Sequence, residues 1–171
     1  MENGERMIFP LAIPVQITSV FGWRVHPITN AWRFHSGTDL GAPMGTPVLA
    51  AYSGRVSLAE LMGGYGLSIL LDHNDGKEAT RYAHLSEVFV KSGQWVQQGT
   101  VIGLVGSTGN STGPHLHFET LQATSGGMVA VDPGLELRTT MTALAQVLQT
   151  ARLTAQQPAP KAPAKVQQPQ S

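Results

Sequence analysis

Short strands separated by glycine-rich turns are the feature that most restricts how this chain can fold. Between Val20 and Pro133, apolar segments recur about every eight to twelve residues, and five glycines fall between positions 93 and 109. Asn74-Asp75-Gly76 separates two such segments and is a strong signal for a tight hairpin. This spacing predicts an all-β protein built as an antiparallel β-sandwich or β-barrel.

The predicted strands are short, and they show no convincing internal repeat. The clearest of them are Gly54–Leu58, Leu67–Leu71, Glu78–His84, Val101–Val105 and Leu116–Glu119. A chain of 171 residues is long enough for one folded domain with its own core.

The pattern changes after Pro133, where apolar residues take up helical spacing. Four of them fall four, three and four positions apart, which predicts an amphipathic α-helix over 136–154: Leu137, Met141, Leu144 and Leu148. We expect this helix to dock on its own domain, and a helix that binds a partner protein is the alternative. Residues 155–171 are rich in Pro, Gln and Ala and predict a disordered tail, which could also contact a partner.

Composition excludes several classes of protein. Eleven basic and eleven acidic residues give zero formal charge, which argues against a nucleic-acid-binding protein. The absence of cysteine excludes disulfides, cysteine-ligated zinc and a thiol nucleophile. The longest apolar candidate, Met7–Val15, is far shorter than the ~20 residues of a transmembrane segment. No signal peptide is visible, because the leader contains Glu2 and Glu5.

Six histidines must therefore supply any transition-metal site, with help from carboxylates. His35 and Asp39 lie four positions apart, and His115 and His117 project from the same face of a predicted strand. Either pattern alone is as consistent with ordinary polar side chains as with a metal site. Together, His35, Asp39 and one histidine of the second pair form the ligand type of a catalytic zinc, with one position left for water. The residues themselves leave open which of the pair, His115 or His117, is the ligand.

The remaining member of that pair and His84 are then free to transfer protons beside the metal. His84 ends a predicted strand, where a lone histidine is more often structural. His26 and His73 lack such company, and we expect them to be structural or surface residues.

Several motifs occur in a fixed order along residues 18–137. The main ones are Phe21-Gly22-Trp23-Arg24-Val25-His26-Pro27, His35-Ser36-Gly37-Thr38-Asp39-Leu40, Tyr82-Ala83-His84-Leu85, Gly113-Pro114-His115-Leu116-His117-Phe118-Glu119 and Val131-Asp132-Pro133. In this order they resemble the motifs of the M23 metallopeptidases, the lysostaphin-type peptidoglycan endopeptidases.

The resemblance implies a fold and a site. The fold would be a small antiparallel β barrel-sandwich with a groove, and a zinc metallopeptidase domain would occupy residues 1–135. The resemblance selects His117 as the third ligand, so that His35, Asp39 and His117 would hold one Zn²⁺ per chain. His84 and His115 would form the catalytic pair, with His115 as general base and His84 as a donor to the oxyanion.

The resemblance also implies an activity and a location. The protein would be a zinc-dependent endopeptidase that hydrolyses peptide bonds in peptidoglycan cross-links or stem peptides, in the periplasm or outside the cell. The alternative is a catalytically silent activator or binding partner of another cell-wall hydrolase, although the complete ligand set counts against it. The strand pattern also resembles lipoyl-type carrier modules, but the candidate hairpin tip lacks their expected lysine context.

Overall fold

The computed structural model describes residues 4–26 and 29–156, which form two antiparallel sheets and one α-helix. The strands are β1 (Gln16–Ser19), β2 (Gly22–Val25), β3 (Trp32–His35), β4 (Thr38–Gly41), β5 (Pro47–Leu49), β6 (Gly54–Met62), β7 (Gly66–His73), β8 (Glu78–Val88), β9 (Trp95–Val96), β10 (Val101–Val105), β11 (His115–Thr124) and β12 (Gly127–Val131). Helix α1 (Gly134–Ala155) follows them. No helix in the described ranges combines the length and apolar character needed to cross a membrane.

The larger sheet has ten strands, and its main path runs β1-β4-β11-β8-β7-β6-β9. Strand β10 pairs with both β5 and β8, and β12 pairs with β11, while β2 and β3 form a separate two-stranded sheet. The predicted all-β antiparallel fold with one C-terminal helix is thus confirmed. The pairings among the described strands give a branched, open sheet and not a closed ring.

Each predicted strand lies within an observed one, and the predicted turn joins β7 to β8. In that turn Asn74 and Asp75 have φ values of 49° and 55°, which their short polar side chains tolerate better than most. The core is built from strands of the larger sheet and from the segment before β1, and fully buried apolar side chains stabilise it by about 1.5–3 kcal/mol each. Its largest members include Leu40, Tyr82, Ile102, Leu116 and Phe118.

Helix α1 begins two residues before the predicted start and ends one residue after the predicted end. Leu137 is buried in the core, and Met141 and Leu144 pack against it, so the predicted stripe does dock on the sheet. The contact fades at Leu148, which is 43% exposed. The predicted tail falls almost entirely on residues 157–171, which lie outside the described residues.

His73 is more than a surface residue of the hairpin. It is buried at the end of β7, where its Nδ1 donates to the Ser53 carbonyl (2.8 Å) and its Nε2 lies 2.9 Å from Thr80 Oγ1. Burial lowers the pKa of His73 below its usual value. The folded protein therefore holds this ring in the neutral form.

This burial predicts a pH-dependent stability. Because the unfolded chain protonates His73 near pH 6.5 and the folded chain does not, stability should fall as pH drops below 6.5, by at most about 1.4 kcal/mol per pH unit from this residue. The variant His73→Gln removes the titrating group, so its free energy of unfolding should fall less steeply between pH 7 and pH 5. Urea unfolding at several pH values measures both slopes. Parallel pH profiles for the parent and the variant would contradict the assignment.

Candidate metal centre and its groove

Two neighbouring strands place the central side chains of the site. Strand β11 pairs with β4 in a register that sets His117 directly opposite Asp39. His35 ends β3, and only Ser36 and Gly37 separate it from β4. A Cβ at position 37 would lie 2.6 Å from the Phe118 carbonyl oxygen and 2.8 Å from the His117 ring, so only glycine lets this turn pass so close to β11.

The structure brings His35, Asp39 and His117 together, although 82 positions separate the two histidines. Asp39 Oδ1 lies 3.1 Å from His35 Nε2 and 2.9 Å from His117 Nδ1, and those two nitrogens are 3.2 Å apart. Ligand atoms placed tetrahedrally at about 2.0–2.1 Å from one ion lie about 3.3 Å apart. The cluster therefore has the size and donor chemistry of a site for one divalent metal.

The outer nitrogen of each ring is already engaged. His35 Nδ1 donates to the Val20 carbonyl (2.8 Å), and His117 Nε2 donates to Glu119 Oε1 (3.0 Å). In neutral rings the inner nitrogens then carry lone pairs, and both face the Asp39 carboxylate. Three acceptor atoms at such distances repel one another unless a proton or a metal cation lies between them. Hydrogen bonds that hold the outer nitrogen of each ring in this way are typical of metal-binding histidines.

Glu119 is a functional residue that the sequence analysis quoted in a motif but gave no role. It is almost fully buried, and its Oε1 accepts hydrogen bonds from Ser36 Oγ and Tyr65 Oη (2.9 Å) as well as from His117. Arg81 Nε forms an ion pair with its other oxygen at 3.3 Å. Glu119 follows His115 and His117 at every second position, so all three share one face of β11. This alternation was the sequence pattern that could have identified Glu119 as a member of the site.

The electrostatics of the cluster favour bound positive charge. Burial alone would raise the pKa of the Asp39 carboxyl, but hydrogen bonds from His117 and His35 hold it well below its usual value. Burial likewise opposes ionisation of Glu119, yet its hydrogen bonds to His117 and Ser36 lower its pKa. The pKa of His117 is raised, because its bonds to Asp39 and Glu119 outweigh the effect of burial.

A β-bulge in β8 directs the His84 side chain towards the cluster of His35, Asp39 and His117. Tyr82 pairs with Ile69 and Leu85 with Leu67, so Ala83 and His84 together oppose a single residue of β7. His84 adopts a φ of 62°, a left-handed conformation that costs about 1–3 kcal/mol in an ordinary residue. Bulges of this kind re-aim a side chain, and here the ring centroid comes to 4.7 Å from that of His115.

His84 and His115 are anchored in the same way. His84 Nδ1 donates to the Thr108 carbonyl (2.7 Å), and His115 Nδ1 donates to the Gly113 carbonyl (2.8 Å). Burial, reinforced by the neighbouring His115 and His117, lowers the pKa of His84 to about 4. A neutral His84 therefore presents the lone pair of Nε2 and must take up a proton before it can donate from that atom.

All five histidine and aspartate residues predicted for the site line one open groove of about 760 Å³. His26, expected to be structural or at the surface, lines it as well, together with Arg24, Arg33 and Tyr65. Tyr65, to which no sequence pattern assigned a role, reaches the groove from the turn between β6 and β7.

Two glycine-rich loops form one edge of the groove, and hydrogen bonds join them to each other. Asn110 N donates to the Gly64 carbonyl (2.8 Å), and Leu67 N donates to Thr108 Oγ1 (3.0 Å). Gly66 has a φ of 67°, and a Cβ there would lie 2.4 Å from the Thr108 carbonyl carbon. Glycine is needed here for the close packing of the two loops.

An antiparallel sheet that carries two imidazoles and a carboxylate in an open groove is the arrangement expected of a metallohydrolase domain. Comparison with known proteins agrees with this class. Residues 33–133, more than half of the chain, match the model of Peptidase family M23. The chain therefore belongs to peptidase family M23.

Individual relatives cover most of this chain. It is 49% identical over 118 residues to the DD-carboxypeptidase/endopeptidase Mpg of Neisseria meningitidis, covering 69% of this chain and 27% of that protein. It is 44% identical over 107 residues to the peptidoglycan DD-endopeptidase ShyB of Vibrio cholerae, covering 62% of this chain and 25% of that protein. The chain thus spans about a quarter of the length of these relatives.

A solved structure shares the fold. The catalytic domain of the antimicrobial peptidase lysostaphin from Staphylococcus simulans superposes with a TM-score of 0.64 at 37% identity, covering 72% of this chain and 92% of that one. The match extends over nearly all of a catalytic domain.

The buried Glu119 network predicts a stability effect that needs no metal. Tyr65→Phe removes one donor from a buried carboxylate and should lower the free energy of unfolding by about 1–3 kcal/mol in metal-free protein. Tyr52→Phe is the matched control, because its hydroxyl lies 3.4 Å from Glu136, an exposed residue, and its loss should cost less than about 0.5 kcal/mol. Urea unfolding in a chelator measures both, and equal losses would contradict the role given to Tyr65.

Proposed function

We propose that this domain is a zinc-dependent endopeptidase that hydrolyses peptide bonds in peptidoglycan. The observation that carries the proposal is the set of three inward-facing atoms, His35 Nε2, Asp39 Oδ1 and His117 Nδ1, which lie 2.9 to 3.2 Å from one another. Two imidazoles and one carboxylate are a donor set that suits Zn²⁺ and leaves a coordination position open. We assign these three residues as the ligands of one zinc ion per chain.

Zinc held by these residues would lower the pKa of a water molecule towards about 7 and would polarise a carbonyl group. His115 is placed to act as the general base, because its Nε2 faces the cluster 3.7 Å from Asp39 Oδ1. His84, neutral at pH 7, adds a second lone pair beside it. In this proposal a proton taken from water is held at the Nε2 atom of one ring and passed to the leaving amine. The ring that is protonated also donates to the developing oxyanion.

The proposed substrate rests on the family and on the names of its relatives. The peptidoglycan and DD-endopeptidase activities named for the relatives support cross-link or stem peptides as the substrate. A peptidoglycan substrate would place the protein in the periplasm or outside the cell. Because the chain spans about a quarter of these relatives, the role of the whole protein, including a partner bound through α1 or the tail, is part of the proposal.

A catalytically silent activator of another wall hydrolase would make different demands on the site. It would have no need of a complete donor set, nor of a strained histidine aimed at that set. Binding to a wall amidase by zinc-loaded protein, with no fragments released from purified sacculi, would favour the activator.

Loss of a proposed ligand should remove both metal and activity. Loss of a group that only hydrogen-bonds to a metal ligand weakens metal binding by about 10- to 100-fold. We expect His117→Gln, which removes a proposed ligand itself, to weaken zinc binding by more than this and to abolish wall digestion. His73→Gln is the matched control, since it changes another buried histidine that does not line the groove. Zinc content after dialysis and soluble fragments from sacculi are the two measurements. Full digestion by the His117 variant would refute the assignment.

Loss of a proposed catalytic histidine should separate activity from metal binding. His115→Gln and His84→Gln should each keep zinc and lose about 10²–10⁴-fold in the rate of fragment release, because proton transfer is removed and the ligands are not. Metal content is measured on the same samples. Two variants that digest sacculi at the parent rate would show that these rings serve another purpose.

A further inference from the structure

Two arginines face the groove from the separate β2–β3 hairpin. Arg24 and Arg33 are direct partners across its two strands, and both line the groove. Because side chains alternate along a strand, the other face of the hairpin carries the exposed Trp23 and Trp32. The two arginines therefore share one face of the hairpin and both border the groove, Arg24 within 3.9 Å of Asp39.

This pairing is unfavourable for the folded protein alone. Like charges directly opposite each other on one face of a sheet destabilise it. Arg24 is only partly compensated, since its nearest carboxylate oxygen, Asp39 Oδ2, is 3.9 Å away and the other oxygen of Asp39 faces two histidines. Within residues 4–26 and 29–156, no carboxylate lies within ion-pair distance of Arg33. An anion in the groove would relieve this repulsion.

We infer that Arg24 and Arg33 form a subsite for a free carboxylate of the substrate peptide. The inference rests on the proposed function and specifies its substrate class. Guanidinium groups bind carboxylates through two parallel hydrogen bonds, which fixes the orientation of the group as well as its charge. Since Arg24 lies 3.9 Å from a proposed metal ligand, the bound carboxylate falls within about one or two residues of the scissile bond.

The subsite distinguishes between kinds of cross-link. A bridge of neutral residues such as glycine offers no carboxylate beside the scissile bond. A diamino acid that has a second carboxyl group, linked through its second amine, keeps a free carboxylate there, and so does the terminal residue of a stem peptide. The structure thus assigns this groove to peptides of the second kind, with the carboxylate supplied either by a diamino acid or by a chain end.

The test uses the zinc-loaded full chain and two pairs of synthetic peptides. In one pair the diamino-acid carboxylate is free or amidated, and in the other the C-terminal carboxylate is free or amidated. The parent should cleave the free form of at least one pair with a kcat/KM about ten- to a hundredfold higher than the amidated form. The pair that shows the preference identifies the source of the carboxylate.

Arg33→Gln should abolish this preference, mainly by raising KM for the free form, so that the free and amidated forms are then cleaved with similar kcat/KM. The dissociation constant of the product that carries the free carboxylate should rise by a similar factor, measured by calorimetry. Arg138→Gln, which removes an exposed arginine of α1 outside the groove, is the matched control. Arg24→Gln is a secondary variant, because Arg24 also approaches Asp39.

The outcomes separate the two proposals. Cleavage of free and amidated peptides at equal rates, or an equal loss on both in Arg33→Gln, would overturn the carboxylate subsite and leave the endopeptidase intact. Zinc-loaded parent that cleaves none of the four peptides and no sacculi would refute the proposed function, and the subsite with it.

Discussion

Mutual repulsion between three acceptor atoms is the constraint on which the rest of this structure depends. In neutral rings Val20 and Glu119 accept from the outer nitrogens of His35 and His117, so the inner nitrogens that face Asp39 carry lone pairs and not protons. A fold that brings such atoms within 3.2 Å of one another is stable only with positive charge among them. The buried network behind Glu119 acts in the same direction, because Asp39 and Glu119 together raise the pKa of His117 despite its burial and so favour a positive charge at that ring.

Regular antiparallel pairing between β4 and β11 forms this cluster. The pairing becomes irregular in β8, where the His84 side chain has to point in a different direction. His117 and Asp39 meet because they are register partners on neighbouring strands. His84 could not reach them from a regular strand, so β8 bulges at the point where its pairing passes from β11 to β10. The strain of its left-handed backbone is compensated by a bond to the Thr108 carbonyl. Rigid loops then hold that carbonyl in place.

The sequence predicted the fold class and the central cluster, because both follow from local spacing. Alternation along β11 put His115 and His117 on one face, and the same rule would have added Glu119. Spacing alone could not choose between His115 and His117, since that depends on which ring nitrogen a distant neighbour occupies. Tyr65 was not visible either, because its contact is with Glu119, 54 positions away. The bulge at His84 depends on the pairing of β8 with β7 and on Thr108, 24 positions away. His73 was expected to be structural or at the surface, and the structure shows a buried structural residue. Spacing could not choose between the two, because a turn residue becomes buried only through the side chains that cover it.

Net charge was also an incomplete predictor of which substrates the groove can bind. The first 150 residues carry eight basic and eleven acidic side chains, which suggests little attraction for an acidic polymer. A groove, however, responds to the groups within about one Debye length, about 8 Å at physiological salt, and to the low dielectric of its walls. Around Asp39 the charges nearest the groove are two arginines and, once a metal is bound, a divalent cation. With the proposed metal bound, the charges that line the groove therefore sum to a positive value, even though the first 150 residues as a whole are acidic.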